Sequence, residues 1–342
     1  MTVTIRDVAK RLNLSITTVS RALDGYDDVA EGTRVLVVKT AQEMGYEPNR
    51  AARQLRRKRS DTIGYILPAH RPQFSDPFFS EFIAGLGDEA ARNNFDLLVS
   101  ISPPDHPDEH RLYQRWLHGH KVDGFVLNRM RLYDWRVRFL AENHFPFVTL
   151  ERSLEPVDQT CVIVDGTKGF RVLVEHLIHL GHRRIAYIGG SPYLKIQADR
   201  IAGYQVALYE NNLEVIPGLI VESDLTQEGG YQAALTLLRR ANPPTAIACI
   251  NDLTAIGALH AAHELGYRPG EDLAIAGFDG IAESAYSEPP LTTVNQPIYE
   301  IACKLVRLLV DRIMGSSTAV SEIWIEPELI IRASTVGNNH MV

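Results

Sequence analysis

Four widely separated side chains, Phe79, Arg200, Asn251 and Asp279, are of the types that together grip a polyhydroxylated ligand. Planar polar groups take two hydroxyls at once, and an aromatic ring covers the apolar face of a sugar. Phe78 precedes Phe79, in Asp76-Pro77-Phe78-Phe79-Ser80, and Glu151 adds a further carboxylate. Each has a plainer reading beside this one: an Asp or Asn after a strand often caps the next helix, and Phe78-Phe79 suits a core. A second group lies near the start. Ser15, Ile16, Thr17, Thr18 and Ser20 are small or apolar, and they are followed by Arg21, which is long enough to reach a guanine edge. Such a surface can approach DNA closely, although on these residues alone a generic three-helix domain with solvated Ser and Thr stays open.

The elements that would hold the second group are short helices. Thr4-Ile5-Arg6-Asp7 puts a capping hydroxyl three residues before a carboxylate, and Ile5, Val8, Ala9 and Leu12 then share one face, predicting a helix from about Ile5 to Arg11. Asn13-Leu14-Ser15 supplies a turn and a new N-cap, and Val19, Ala22 and Leu23 keep helical spacing until Asp24-Gly25. A third apolar series, Val35, Val38, Ala41 and Met44, ends at Gly45. In a helix-turn-helix the second helix lays its N-terminal side chains against base edges.

The first group needs strand ends. From Thr62 onward short β-rich runs alternate with helical patterns, the signature of parallel sheets with crossover helices. Strands are predicted near Ile63–Leu67, Leu97–Ile101, Gly124–Leu127 and Phe147–Leu150 as one unit. A second unit is read from Val162–Val164, Ile185–Ile188, Leu219–Val221, Ala246–Ile250 and Leu273–Ala276. Helical stretches fall at 79–93, 169–180, 203–211, 230–240 and 255–265, which puts Arg200 at the start of a helix. Two doubly wound lobes follow, with any ligand in the crevice at the carboxyl ends of their strands.

Composition narrows the function classes. The 342 residues carry a net charge of −7, but residues 1–60 hold twelve Lys/Arg against seven Asp/Glu, a balance of +5 that leaves −12 for the remainder. A basic head on an acidic body fits a nucleic-acid module joined to a part with another task. The start is polar and charged, and no run of apolar residues is long enough to span a bilayer, so a cytoplasmic protein without membrane contact is expected. Cys161, Cys249 and Cys303 lie far apart in apolar stretches and read as buried fillers. Phosphate-binding and nucleophile-elbow motifs are absent, so no enzyme, cofactor or metal is expected. His176, His179 and His182 read as the end of a helix that Gly181 closes, their side chains favouring its last carbonyls.

Three linked motifs, Thr4-Ile5-Arg6-Asp7-Val8-Ala9, Ser15-Ile16-Thr17-Thr18-Val19-Ser20-Arg21-Ala22-Leu23 and Gly45-Tyr46-Glu47-Pro48-Asn49, resemble the signature of the LacI/GalR (lactose-repressor) family. The resemblance covers essentially the whole chain. It implies an α/β protein with an N-terminal all-α helix-turn-helix head (1–48), a hinge helix or linker (49–60) and a core (61–342) built like a periplasmic sugar-binding protein. Lobe 1 would be about 61–160 and 292–324, and lobe 2 about 161–291 and 325–342, with crossings near 160, 291 and 325. By the same resemblance the hinge contributes Asn49, Ala52, Leu55 and Arg56 to DNA binding, with Leu55 as a wedge in the minor groove. Phe79, Arg200, Asn251 and Asp279 match effector-contacting positions of the family, and Glu151 and Gln296 match further lining positions. The implied function is a transcriptional regulator, most readily a repressor, whose affinity for a pseudo-palindromic double-stranded operator changes with a bound mono- or disaccharide. Residues 191–196 and Leu225 depart from what a purine-responsive relative would carry. A homodimer is expected rather than a tetramer, because residues 334–342 contain no leucine heptads.

Overall fold

The computed structural model describes residues 3–46, 59–68, 76–103, 106–316 and 319–336. The chain divides into two compact units, Met1–Ser60 and Asp61–Val342.

In the first unit, α1 (Ile5–Leu12), α2 (Ile16–Leu23) and α3 (Glu31–Glu43) surround a small core of Val8, Ala9, Val19, Ala22, Val29, Val37 and Ala41. Asp7 Oδ2 accepts from the Thr4 backbone N–H at 2.9 Å and from its hydroxyl at 2.7 Å, satisfying an orphan donor at the start of α1. Asn13 ends that helix in the left-handed region (φ 52°), and Ser15 caps α2 by accepting from the Thr18 N–H at 3.0 Å. The third helix turns a different face inward from the one its spacing suggested. Val37, Thr40 and Ala41 are buried, whereas Val35 and Val38 are 57% and 37% exposed. Val35-Leu36-Val37-Val38 is a run of four apolar residues that reaches every side of a helix, so periodicity could not choose among them; packing on α1 and α2 does.

The second unit opens with β1 (Thr62–Pro68), α4 (Pro77–Arg92), β2 (Asp96–Ser102), α5 (Pro107–His118), β3 (Gly124–Leu127), α6 (Trp135–Glu142), β4 (Phe147–Leu150) and β5 (Cys161–Val164). It continues with α7 (Gly166–His179), β6 (Ile185–Gly189), α8 (Lys195–Glu210), β7 (Ile220–Glu222), α9 (Gln227–Leu238), β8 (Ala246–Cys249), α10 (Asp252–Glu264), β9 (Ala274–Asp279) and β10 (Thr292–Asn295). The last elements are α11 (Ile298–Met314), β11 (Glu322–Ile325), β12 (Glu328–Ile330) and α12 (Ala333–Val336). One sheet has the order β11-β5-β4-β3-β1-β2 and the other β12-β10-β9-β8-β6-β7. Every pairing is parallel except β10 with β12. The inner strands are buried along their length, as parallel strands covered by helices on both faces must be.

Two boundaries differ from the sequence reading. Thr149 pairs with Cys161 and Leu150 with Val162, so β5 belongs to the first sheet and that crossing follows Val164. Thr292–Asn295 pairs with Ala276–Asp279, so β10 belongs to the second sheet and the next crossing follows Asn295. A four-residue buried apolar strand looks alike in either lobe; only its neighbours decide, and they are distant in sequence. After Asn295 the chain runs through α11, which packs on α4. Gly85 permits that contact, since a Cβ there would lie 2.6 Å from the Tyr299 carbonyl oxygen.

The histidines at the end of α7 also behave differently from expectation. His176 Nε2 meets Thr335 Oγ1 at 2.9 Å and His182 Nδ1 meets Thr245 Oγ1 at 3.0 Å, so these two brace other elements rather than the helix's last carbonyls. All three cysteines are buried and unbridged.

Candidate functional site

In both sheets the strand order reverses beside the first strand of the unit, between β1 and β3 and between β6 and β8, which leaves a crevice outside the carboxyl ends at those points. A small cavity of about 60 Å³ lies there. All seven sequence-predicted residues, Phe78, Phe79, Glu151, Arg200, Asn251, Asp279 and Gln296, line it.

Apart from Phe78 and Phe79, which share α4, each is delivered by a different element. Asp76 caps α4 by accepting from the Phe78 N–H at 3.1 Å, and this fixes Phe78 and Phe79 at the mouth of the helix. Glu151 follows β4 directly, and Asn251 follows β8 after Ile250. Asn251 is both cap and lining: Oδ1 accepts from the Thr254 N–H at 3.0 Å, while Nδ2 donates to the Leu225 carbonyl at 3.0 Å. Arg200 sits in the second turn of α8 rather than at a helix start. That helix begins at Lys195, behind an N-cap, Leu194, that offers no side-chain acceptor to mark it.

Arg200, Asp279 and Gln296 form one buried cluster. Arg200 donates to the Ile250 carbonyl and, at 3.3 Å, to Asp279 Oδ1, with its guanidinium 3.7 Å from the centre of the Phe278 ring. Gln296 Nε2 donates to the same Asp279 oxygen at 2.8 Å. Burial pushes the Asp279 carboxyl up to about 7, although Arg200 pulls the other way. Asp279 holds φ 123°, a conformation that side chains rarely adopt. Glu151 is also bent, at φ 74°, and burial pushes its carboxyl up to about 8. Its Oε1 accepts from the Val164 N–H at 3.1 Å, but its buried Oε2 has no hydrogen-bond partner among the described residues.

Six cavity residues were not singled out from sequence as a ligand set: Asp76, Asn128, Arg129, Leu150, Ile196 and Leu225. Asn128-Arg129 follows β3 directly, so the strand-end argument that selected Glu151 applies equally to them. Asn128 Nδ2 donates to the Tyr65 hydroxyl at 2.8 Å, and its Oδ1 is a second buried oxygen without a hydrogen-bond partner among the described residues. The Arg129 guanidinium lies 4.8 Å over the Phe79 ring and 3.6 Å from Asp76 Oδ2, with the backbone at φ 45°. Beneath this loop Arg136 is 1% exposed. It donates to Asp134 at 2.7 and 2.9 Å and to the carbonyls of Asn128 and Arg129 at 3.1 and 3.2 Å. Burial opposes the charge on Asp134, but Arg136 and the N–H of Arg131 outweigh it and hold that carboxyl below its ordinary range. At the rim, Leu132 N–H donates to the Tyr193 carbonyl and Lys195 N–H to the Met130 carbonyl, both at 2.8 Å, an antiparallel bridge between the lobes. A second cavity of about 460 Å³ shares Arg129 and Leu225 with the first and is also lined by Arg131, Tyr193, Glu222 and Asp224.

In the head, Ile16 and Thr17 are exposed at the start of α2, and Thr18 is half-buried. Ser15 is exposed, but its hydroxyl is engaged in the cap and with Thr18 Oγ1 at 2.8 Å. Arg21 is partly exposed and bonded to Asp28. Ser20 is a correction: it is only 6% exposed, its hydroxyl directed to Asp24 at 3.4 Å, because it sits on the face that also buries Val19. Asn49, Ala52, Leu55 and Arg56 lie outside the described residues. No group of His, Cys, Asp and Glu among the described residues is arranged to hold a metal ion, and no described helix is long and apolar enough to cross a membrane.

Comparison with known proteins adds names to this arrangement. Residues 4–49 match the model of bacterial regulatory proteins of the lacI family, and residues 174–335 match that of a periplasmic binding protein-like domain. The HTH-type transcriptional regulator AglR of Rhizobium meliloti (strain 1021) is 35% identical, covering 98% of this chain and 95% of that protein. The structure of the transcriptional regulator CelR in complex with cellobiose is 32% identical, with a TM-score of 0.76, covering 97% of this chain and 99% of that one. The lac repressor dimer bound to operator and the anti-inducer ONPF is 28% identical, with a TM-score of 0.84, covering 98% and 100% respectively.

Proposed function

The chain belongs to the lacI family of bacterial regulatory proteins, a DNA-binding transcriptional regulator and not an enzyme, and we propose that a saccharide held between its two lobes sets its affinity for an operator. The observation that carries this reading is a cavity holding two buried oxygens without hydrogen-bond partners among the described residues, Asn128 Oδ1 and Glu151 Oε2, beside Arg200, Asp279 and the Phe79 ring. Buried polar atoms are satisfied in folded proteins, so these two await donors or acceptors from a ligand. Burial pushes the Glu151 carboxyl up to about 8, so near neutral pH it is mostly protonated, and with Oε1 accepting from Val164 the proton on Oε2 is free to donate to a sugar oxygen. Asn128 Oδ1 then accepts a hydroxyl, and Asp279 and Arg200 divide a vicinal pair between them.

Free space of about 60 Å³ is far below the roughly 300–1,000 Å³ of small-molecule sites. A sugar therefore enters when the lobes part and is enclosed when they return. The adjoining 460 Å³ cavity offers room for a second ring, which favours a disaccharide. The solved CelR relative holds cellobiose, a disaccharide, and supports the same class.

Two copies, as in the solved lac repressor dimer, place two heads on a pseudo-palindromic operator. Ile16, Thr17 and Arg21 meet base edges, and Ser15 and Thr18 order the helix start at the backbone. Leu55 acts in the minor groove, with Asn49 and Ala52 of the hinge beside it and Arg56 along nearby phosphates. The protein works in the cytoplasm, where its DNA is. The test is binding of the purified protein to its upstream DNA at one fixed salt concentration, titrated with mono- and disaccharides. A shift of about tenfold by one sugar is expected; tight operator binding that no sugar alters would overturn the effector assignment.

A further inference from the structure

Arg21 is the only residue of the exposed α2 surface that carries a charge, and it does not project freely. Its Nε donates to Asp28 Oδ1 at 3.1 Å and Nη2 lies 2.6 Å from Oδ2, so one edge of the guanidinium is taken by both carboxylate oxygens. The Tyr26 ring lies against its face, 4.5 Å from Cζ to the ring centre. Asp28 and Tyr26 belong to the loop between α2 and α3, whose position is fixed from the other end by Val29 in the head core. Arg34 of α3 ties the same loop down by donating to the carbonyls of Tyr26 at 2.9 Å and Val29 at 3.4 Å.

We infer that Asp28 is a positioning residue for DNA reading: it holds Arg21 so that the other end of the guanidinium is presented as a fork to a guanine. The inference rests on the assignment of Arg21 as a base-contacting side chain. Its chemistry follows from the shape of the group. A guanidinium can donate in pairs along its Nε–Nη2 side or across its Nη1–Nη2 end. Guanine presents O6 and N7 as a paired acceptor in the major groove. With the side pair committed to Asp28 and the face covered by Tyr26, the end pair remains, and it is directed by a planar partner instead of swinging on a long flexible stem. Both partners are about half exposed, so the pair adds little to fold stability; its effect is on direction. The neighbouring carboxylate also repels phosphates, so Arg21 is discouraged from settling on the DNA backbone, where it would carry no sequence information.

The experiment selects bound duplexes from a pool with randomised half-sites, at fixed salt, using the full-length protein and its Arg21→Ala, Asp28→Asn and Asp28→Glu variants. The parent is expected to prefer guanine at one position of each half-site by about tenfold or more, the range of a bidentate arginine contact. Arg21→Ala abolishes that preference. Asp28→Asn, which cannot accept on both oxygens, lowers it at least about threefold at that position alone while affinity for unrelated DNA stays level or rises. Asp28→Glu, with the carboxylate retained, recovers part of it. An Asp28→Asn protein with the parental guanine preference would overturn the inference while leaving Arg21 as reader. Equal loss at every position, accompanied by a lower melting temperature, would make Asp28 merely structural and overturn it too. Guanine preference surviving in Arg21→Ala would remove the assignment on which the inference stands.

Discussion

Replacing Arg136 with Met tests whether the loop after β3 is held by its buried ion pair. Methionine keeps the apolar stem of the side chain and deletes the guanidinium, which is 1% exposed. Asp134, 0% exposed, would lose donors at 2.7 and 2.9 Å and keep the backbone N–H groups of Arg131 and Arg136, each at 3.0 Å, with the Arg131 guanidinium 3.7 Å away. The carbonyls of Asn128 and Arg129 would lose their Nη2 donor as well. Removing one member of a buried pair costs about 3–5 kcal/mol, chiefly because the other charge stays behind. The surviving donors to Asp134 place the expectation near 3 kcal/mol. Urea unfolding followed by tryptophan fluorescence, at one fixed protein concentration because assembly contributes to the midpoint, measures it. A companion variant, Asp134→Asn with Arg136→Met, should recover part of the loss, since no buried charge remains. The same loop carries Asn128 and Arg129 into the cavity, so sugar affinity should fall even where the protein is fully folded. A single variant within about 1 kcal/mol of the parent, the range of an exposed pair, would refute the argument that this contact orders the loop.

Glu151 has its carboxyl raised from 4.5 to about 8, so the folded protein binds a proton that the unfolded chain releases between those values. Stability is therefore expected to decline as pH rises across that window, and Glu151→Gln should flatten the decline in melting curves taken between pH 5 and about 8; an unchanged slope would assign the decline elsewhere. Asp279→Ala should still bind operator, yet lose at least about tenfold in sugar affinity by calorimetry, because Arg200 and Gln296 lose their shared acceptor. Gly85→Ala should destabilise by roughly 1–3 kcal/mol in urea, as the new Cβ meets the Tyr299 carbonyl at 2.6 Å and the Ala302 Cβ at 2.8 Å, neither of which is the end of a flexible side chain. A neutral result there would mean that α4 and α11 separate more easily than their packing implies.

The head could be read almost completely from its residues because its signals are local: a hydroxyl three positions before a carboxylate, a capping serine, and a glycine after the second and third apolar series. Where a local signal is ambiguous the reading failed, as on α3, whose four consecutive apolar residues offer several faces, and at Ser20, a polar residue on the buried side of α2. In the core, nine of the twelve strands were legible, and with them the strand ends that carry Glu151, Asn251 and Asp279; β10, β11 and β12 were not read, and Gln296, which follows β10, was indicated by the family resemblance alone. The lobe to which β5 and β10 belong was not legible, since sheet neighbours are set by contacts far apart in sequence. The start of α8 was hidden for another reason: Leu194 caps without a side-chain bond, so nothing before Arg200 announced the helix. Arg129, at the end of β3, was within reach of the strand-end argument and was passed over, while its bent backbone and buried neighbour have no residue pattern of their own.

The three passages between the lobes are not scattered. β5 and β11 lie side by side at one edge of the first sheet, and β10 and β12 lie side by side at one edge of the second. The chain passes over after Val164, after Asn295 and after Ile325, all along that single margin. Three straps fastened in parallel flex readily across their width and resist shear and twist. Such an arrangement favours bending of one lobe against the other over sliding or twisting. On the proposed reading, a sugar in the crevice would act along that bend, and its effect at the far end of the first lobe would follow how far the strap is bent.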